Sequence, residues 1–513
     1  MKFIKSIAFL LLLSPFIFTN CKSDPDSLSG TESHIPATAT SVNGIDLQRL
    51  MKKADFESVK QMDFYQKMIA DAKKQSPALA AAMMNPEKSG IDLTGKIYLT
   101  TDVDKEQPDQ VTTHIIVPLA NAADFEALAL STDMTFKNEN GLNIYVPENG
   151  KTAMIWSEDL LVLSHSNKES ENVTGSAKKI FELKGEESLA NNKGFRKAMS
   201  ADHDLSVWMS SNTVSRNSKA NMAMAFIGVD PAALEDNHIK GYADFENGKM
   251  VGRADFNIND ELEDEVFDRF FKKEPKTDFS KVLPADKLSF AMTGALNFRG
   301  MDKFLSEHPQ SKEYADFVLN DMGGVARKDI LSTLNGDVMI AAYAGKDGLK
   351  EQFVIALALK NERSANAMLQ KAVADKKLKE LGDGMYKVVA IGGEGFSIRV
   401  NKGLGKILHK DGKLIYSPNE DLLVKIQKGE LGDGSGSALN EFGNKTISGW
   451  LNYSILDKDF RNVSSEFFKN MHFNMDTKGA DFIMETTEPD KNSLKSFFEM
   501  MDESYKRKNL QAM

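Results

Sequence analysis

Apolar and polar positions alternate at period two through "KIYLTTDV" (96–103), "VTTHIIVPL" (111–119), "TAMIWSEDLLVLS" (152–164) and "YADFENGKMVGRADFNI" (242–258), and this predicts strands. Asn247-Gly248 turns the last run into a hairpin. Helical spacing marks 46–75, where Leu47, Leu50, Met51, Val59, Met62, Phe64 and Met68 fall on one stripe. Shorter helices fit "NAADFEALAL" from Asn121 and "EDEVFDRFFKK" from Glu263. Strands joined by tight turns pair antiparallel, because parallel neighbours need long crossovers. The expected fold class is α+β, a mainly antiparallel sheet with helices packed on one face.

The pattern occurs twice. "HIPATATSVNGIDLQRLMKKADF" from His34 has a counterpart in "VLPADKLSFAMTGALNFRGMDKFL" from Val282, and the run from Gly95 has one from Gly336. In that second pair each helix opens near an asparagine, Asn121 or Asn361. "MIWSEDLLVLSHSNKE" from Met154 matches "KILHKDGKLIYSPNED" from Lys406. "LSVWMSSN" matches "ISGWLNYS", which aligns Trp208 with Trp450. "GRADFNI" matches "KGADFIM", each followed by a helix with an aromatic pair, Phe270-Phe271 or Phe497-Phe498. Five blocks in one order predict two tandem duplicated units. The expected division is 34–278 for the first and 279–513 for the second, with the boundary in "PKTDFSKV".

Ahead of the first unit, "MKFIKSIAFLLLLSPFIFTN" carries two lysines and then an apolar run too short to span a membrane. It reads as a signal peptide over 1–20, ending at Cys21, the one cysteine in 513 residues. The arrangement resembles a bacterial lipoprotein signal, in which the cysteine thiol is lipidated. Phe18-Thr19-Asn20 departs from the usual Leu, small residue and Gly or Ala. Two or three acyl chains anchor firmly, at about 0.8 kcal/mol for each buried methylene. Cys21 is the expected lipid attachment site, and the acidic, Ser/Gly-rich segment 21–33 reads as a flexible tether.

Composition is that of a globular chain, 41% hydrophobic and 27% charged, with a net charge of −10 and no basic block. That balance argues against nucleic acid as a partner. The 25 methionines follow the apolar period and read as core rather than as Cu(I) ligands. The eight histidines form no HExxH and no i,i+4 pair, although His165 and His203 remain free to meet in space. "GGEGF" at Gly392 reads as a hairpin turn and "GDGSGS" at Gly432 has no phosphate-loop pattern. "DVDKEQPDQ" from Asp102 lacks the calcium loop's central glycine and closing glutamate. No catalytic residue, metal site or cofactor is assigned. Trp208 and Trp450 read as matched core residues, with paired ligand pockets as the other reading.

The signal ending at Cys21, the "IPATATSVNGIDLQRLMKKADF" opening and the "TGKIYL" strand together resemble the Bacteroidota lipoprotein family known as domain of unknown function 4836. The resemblance extends over about 34–505 and carries over no catalytic residue. It implies a lipid-anchored protein of the outer membrane, on its periplasmic face or at the cell surface. The expected function is non-enzymatic: an envelope lipoprotein held to the membrane through Cys21, with a protein partner or ligand bound by the duplicated body. The alternatives are a hydrolase of an envelope or extracellular polymer and a periplasmic holdase.

Overall fold

The computed structural model describes residues 30–103, 110–148, 150–168, 172–211, 229–279, 282–283, 288–309, 311–313, 315–316, 327–344, 352–389, 405–430, 445–455 and 464–511. Cys21, the signal segment, both glycine-rich runs and most of "DVDKEQPDQ" lie outside the described residues. The chain divides into two compact units. One comprises Met1–Ala225, Asp230–Ile258 and Thr486–Met513; the other comprises Phe226–Val229 and Asn259–Glu485.

In the first unit ten strands form one antiparallel ladder: β1 (Ser41–Asp46), β2 (Lys96–Val103), β3 (Val111–Pro118), β4 (Lys137–Glu139), β5 (Leu142–Tyr145), β6 (Thr152–Trp156), β7 (Leu160–Ser166), β8 (Leu205–Ser210), β9 (His238–Glu246) and β10 (Lys249–Asn257). Their spatial order is β4-β5-β6-β7-β3-β2-β1-β8-β9-β10. The second unit has β11 (Leu288–Ala295), β12 (Leu334–Tyr343), β13 (Phe353–Leu359), β14 (Leu378–Gly382), β15 (Met385–Val388), β16 (Lys406–Lys410), β17 (Lys413–Ser417), β18 (Ile447–Asn452), β19 (Phe468–Asp476) and β20 (Gly479–Thr486). Their order is β14-β15-β16-β17-β13-β12-β11-β18-β19-β20, the first unit's order with ten added to each label.

The registers agree as well. Val42 stands between Thr100 and Trp208, and Ala291 between Ala341 and Trp450, so the two tryptophans hold equivalent places. Asn121 and Asn361 are both N-caps, with side chains accepting N–H groups of the following turn. One sequence match slips. Leu163 faces Ile115 and Tyr416 faces the equivalent Ile355, whereas the aligned blocks set Leu163 against Ile415. The whole block is offset by one residue along both strands, since Met154 faces Leu163 as Ile407 faces Tyr416, and the two turns are equal in length.

Helices cover both faces of each sheet, not one face as expected. In β7, Leu161 and Leu163 enter a core with Met154 and Trp156 of β6, closed by the helices Leu47–Ala54, Asp63–Gln75, Pro77–Met84, Ala122–Leu130 and Ser493–Gln511. Leu160 and Val162 face the other way, into a core with Ile155, Trp208 and the helices Val173–Glu182 and Lys193–Met199. The second unit likewise has one core under Glu420–Lys428 and another under Glu362–Ala374. The consecutive apolar residues of "TAMIW" and "LLVL" are the physical reason: side chains alternate sides, so such runs bury both.

Three further expectations change. The stripe over 46–75 is three helices rather than one. Leu47–Ala54 ends at Asp55, which adopts a left-handed φ of 52° and returns its N–H to Lys52 and Met51; Phe56–Val59 and Asp63–Gln75 follow. The end of the segment expected as tether is ordered, since Thr31–His34 forms a 3-10 turn and His34 Nδ1 lies 3.1 Å from the Ile180 carbonyl. The units divide at Ile258/Asn259 rather than 278/279, and the last helix, Ser493–Gln511, belongs to the first unit.

That last helix supplies what a nearer residue does not. Asp63–Gln75 begins at Met62, which has no capping side chain. Buried Asp502 fills the role, accepting the Phe64 N–H at 3.0 Å, while Lys506 holds its carboxylate at 2.7 Å. Asp502→Ala is expected to lower the stability of the first unit by about 1–2 kcal/mol, and Asp502→Asn, itself a good cap, by less. Urea denaturation followed by tryptophan fluorescence distinguishes the two.

Candidate functional site

In the first unit a cavity of about 310 Å³ opens beside β8, lined by Ala37–Thr40, Leu189, Asn192, Trp208, Ser210 and Asp236–His238. Each wall is fixed locally. Thr40 donates its hydroxyl to the Thr101 carbonyl (2.8 Å) and accepts the Ser210 N–H at its own carbonyl (2.9 Å), which holds the 37–40 segment along the sheet. Asn192 is the N-cap of Lys193–Met199 and takes the Phe195 N–H at 3.0 Å. Asp236 adopts a left-handed φ of 61°, and Asn237 donates to the carbonyls of Ala233 (2.7 Å) and Glu235 (3.0 Å).

Trp208 forms the inner wall. His238 stacks on it at 6.1 Å and Phe195 meets it edge-on at 6.0 Å. Its indole N–H is buried without a hydrogen-bond acceptor, as is that of Trp450. His238 Nε2 lies against the backbone of Gly194, where a Cβ would approach it to 2.8 Å. Burial lowers the His238 pKa and Lys240 lowers it further, so the ring is neutral at neutral pH. Asp236 is then the only formal charge in the lining. The cavity therefore favours a neutral or cationic guest over an anion. Its volume lies at the small end of ligand pockets, suited to one sugar or amino acid.

Other polar groups of the unit are spent on structure. Asp204, wholly buried, takes Arg49 Nε at 3.1 Å, Lys53 Nζ at 2.6 Å and the Phe245 N–H at 2.7 Å, which latches the first helix to β8 and β9. Beside it His203 pairs with Asp244 at 2.7 Å and stacks on Tyr242 at 3.7 Å. Burial pushes the Asp244 carboxyl up, but the Asp204 N–H and His203 outweigh this and hold it below the usual value. Lys96, with its pKa lowered by burial, gives its ammonium to the carbonyls of Met199 (2.6 Å) and Ala201 (2.8 Å).

One set imitates a hydrolytic triad. His114 Nδ1 lies 2.7 Å from Ser164 Oγ, and Asp102 lies 4.0 Å from Nε2. Ser164 and His114 are sealed under the sheet's helices, at 0% and 2% exposure, so no substrate reaches the hydroxyl, and 4.0 Å is too long for a hydrogen bond. His165 and His203 do not meet: His165 bonds Thr152 on β6, four strands in the ladder from β8. Met51, Met83, Met154 and Met199 are buried in the core, whereas Met209 is exposed. Among the described residues no helix is long and apolar enough to cross a membrane.

Sequence reading singled out Trp208, with a ligand pocket there as its second reading, but named none of the other lining residues. His238, Asn192 and Asn237 carry no motif, and only the pairing of β8 with β9 brings His238 to the tryptophan.

A family model described as Domain of unknown function (DUF4836) matches residues 32–429. No curated protein matches the chain. Three crystal forms of TP0453 are similar over part of it. Form I shares 7% identity at a TM-score of 0.28, over 46% of this chain and 81% of that one. Form III shares 8% at 0.27, over 49% and 91%, and form IV 8% at 0.25, over 44% and 78%.

Burial holds the His114 pKa down at about 4, against an ordinary value of 6.5. The unfolded chain therefore takes up a proton between those values that the folded one refuses. Stability is expected to fall as pH drops from 6.5 to 4, by on the order of 3 kcal/mol from this residue. The His114→Gln variant is expected to lose much of that slope when urea midpoints are compared at pH 7 and 4.5.

Proposed function

Because the chain belongs to the DUF4836 family, a domain of unknown function, we propose its role from its own chemistry: an envelope lipoprotein, anchored through Cys21, that binds a small polar molecule in its first unit. The anchor places the body at the outer membrane, as in lipoproteins of the Bacteroidota. The two units descend from a tandem duplication, a reading supported by their shared strand order and register. The role is binding rather than catalysis.

The observation that carries this reading is the cavity beside Trp208. It offers amide, hydroxyl and carboxylate groups from four separate segments, one face of aromatic carbon and a single negative charge. That combination suits a guest with hydroxyl or amino groups spread over an apolar ring, of which an amino sugar is the simplest case. Anions are disfavoured by Asp236.

Two measurements test the parts separately. Cys21→Ser is expected to move the protein from the membrane to the soluble fraction, and mass spectrometry of the native protein to show the lipid on Cys21. A bare thiol there rules out the anchor. For binding, tryptophan fluorescence and melting temperature of the mature body are followed with glucosamine, N-acetylglucosamine, glucose and glutamate. A saturable response to at least one sugar and none to glutamate is expected, with loss of the response in Ala37→Phe, which fills the mouth from an exposed position. No response to any of the sugars overturns the binding role.

A further inference from the structure

The first unit is closed by a helix the chain makes last. Ser493–Gln511 lays Leu494, Phe498, Met501 and Tyr505 onto the core under Leu47–Ala54 and Asp63–Gln75. Phe498 stacks parallel to Phe64 at 6.4 Å and 5°. Polar contacts fix its position: Asp502 caps Phe64, Lys495 pairs with Asp55 at 2.6 Å, and Lys506 reaches Asp63 at 3.8 Å. The strap leading into it is pinned on the β9–β10 turn. Thr486 donates to the Gly248 carbonyl and Gly248 to that of Lys491, each at 2.8 Å, and Asn492 donates to Phe245 at 2.9 Å. Gly248, with φ at 71°, lies so close to Pro489 that a Cβ there would approach it to 2.5 Å. This seat is specific, not a greasy surface that any helix would fit.

Yet that helix follows β20, the last strand of the second unit. The helix that follows β10, over 260–270, is likewise counted with the second unit. There Phe270 meets Phe304 edge-on at 5.5 Å, and Asn297 donates its side chain to Asp268 and its N–H to Phe270. The first unit's core is thus closed by the helix that follows β20, and the helix that follows β10 packs against Phe304 and Asn297 of the second unit. Such reciprocity is the signature of an exchanged dimer whose halves are joined in one chain.

We propose that the seat formed by Asp55, Phe64 and the adjoining apolar face accepts the C-terminal helix of a second copy, giving helix-exchanged dimers. The order of synthesis favours this. The seat, with the β9–β10 turn that pins its strap, exists once the first half of the chain has emerged, but its own helix arrives with the final residues. Until then a neighbour's finished helix competes for it at the local concentration of copies. The two outcomes bury the same surface, so concentration decides between them.

The test uses the full mature chain with Cys21→Ser. One copy carries Asp63→Cys and another Lys506→Cys, both half-exposed positions, so neither copy alone offers two thiols. The copies are unfolded together, refolded at high concentration and treated with a short bis-maleimide. A cross-linked heterodimer, and a dimer fraction on sedimentation that grows with refolding concentration in the chain without either cysteine, are expected. A chain that refolds only as monomer overturns the proposal whatever the cysteine variants do. So does a dimer that forms without cross-linking, provided a single copy with both cysteines cross-links within itself. If that double variant fails to react, a tag on one copy and mass spectrometry of a dimer cut within the strap decide. The proposal requires each C-terminal peptide to stay with the other copy's first unit, and retention by its own overturns it.

Discussion

A ten-stranded antiparallel sheet with apolar side chains on both sides must be covered twice, and this constraint shapes everything else in each unit. Where a sheet has one wet face, strands alternate and one layer of helices suffices. Here β6 and β7 bury nearly every residue, so helices are required above and below. The long connections between its strands supply most of this helix, but not all of it. Part of one layer is therefore made from residues far away in the chain, and a buried hydrogen bond such as Asp502 to Phe64 spans 438 positions.

Polar groups that lie between these layers are either satisfied or withheld from charge. The Asp204 carboxylate survives full burial because two cations and an N–H surround it; removing a partner from such a pair costs about 3–5 kcal/mol. His114 takes the other course and stays neutral. The indole N–H of Trp208 does neither. An unmet buried donor costs about 1–3 kcal/mol, and Thr100, across the intervening β1, and Ser206, two positions along β8, also lack partners among the described residues. Trp450 and Ser448 of the second unit are unmet in the same way, so this cost belongs to the shared scaffold rather than to the cavity.

Much of this was legible in the chain. Period-two runs located β2, β3 and the β9–β10 hairpin, and the repeated blocks placed Trp208 and Trp450 before any register was known. The continuous runs in β6 and β7 carried the sign of two-sided burial, but alternation elsewhere in the same sheet suggested one covered face. The break at Asp55 was hidden because the apolar stripe continues across it; a left-handed residue interrupts the backbone without interrupting the pattern. Residues that act at long range were invisible for a different reason. Asp502 looks like any exposed helical acid and His238 like any strand histidine, since their roles are set by partners hundreds or tens of positions away.

The two units share a scaffold but only part of its polar contents. Val354 stands in the ladder where the first unit has His114, and Ala341 where it has Thr100, so the row beneath Trp208 is polar in one unit and apolar in its counterpart. His238 opposes Ser210, whereas Asn470 opposes Asn452 at the matching step. Scaffold residues such as the paired tryptophans and capping asparagines match because both sheets need them for the same packing. Some buried polar residues match as well, Ser164 with Ser417 and Ser206 with Ser448, while Thr100 and His114 have apolar counterparts. Among the described residues, Thr100 and His114 set the first unit's polar row apart from its counterpart, and the cavity beside Trp208 adjoins that row.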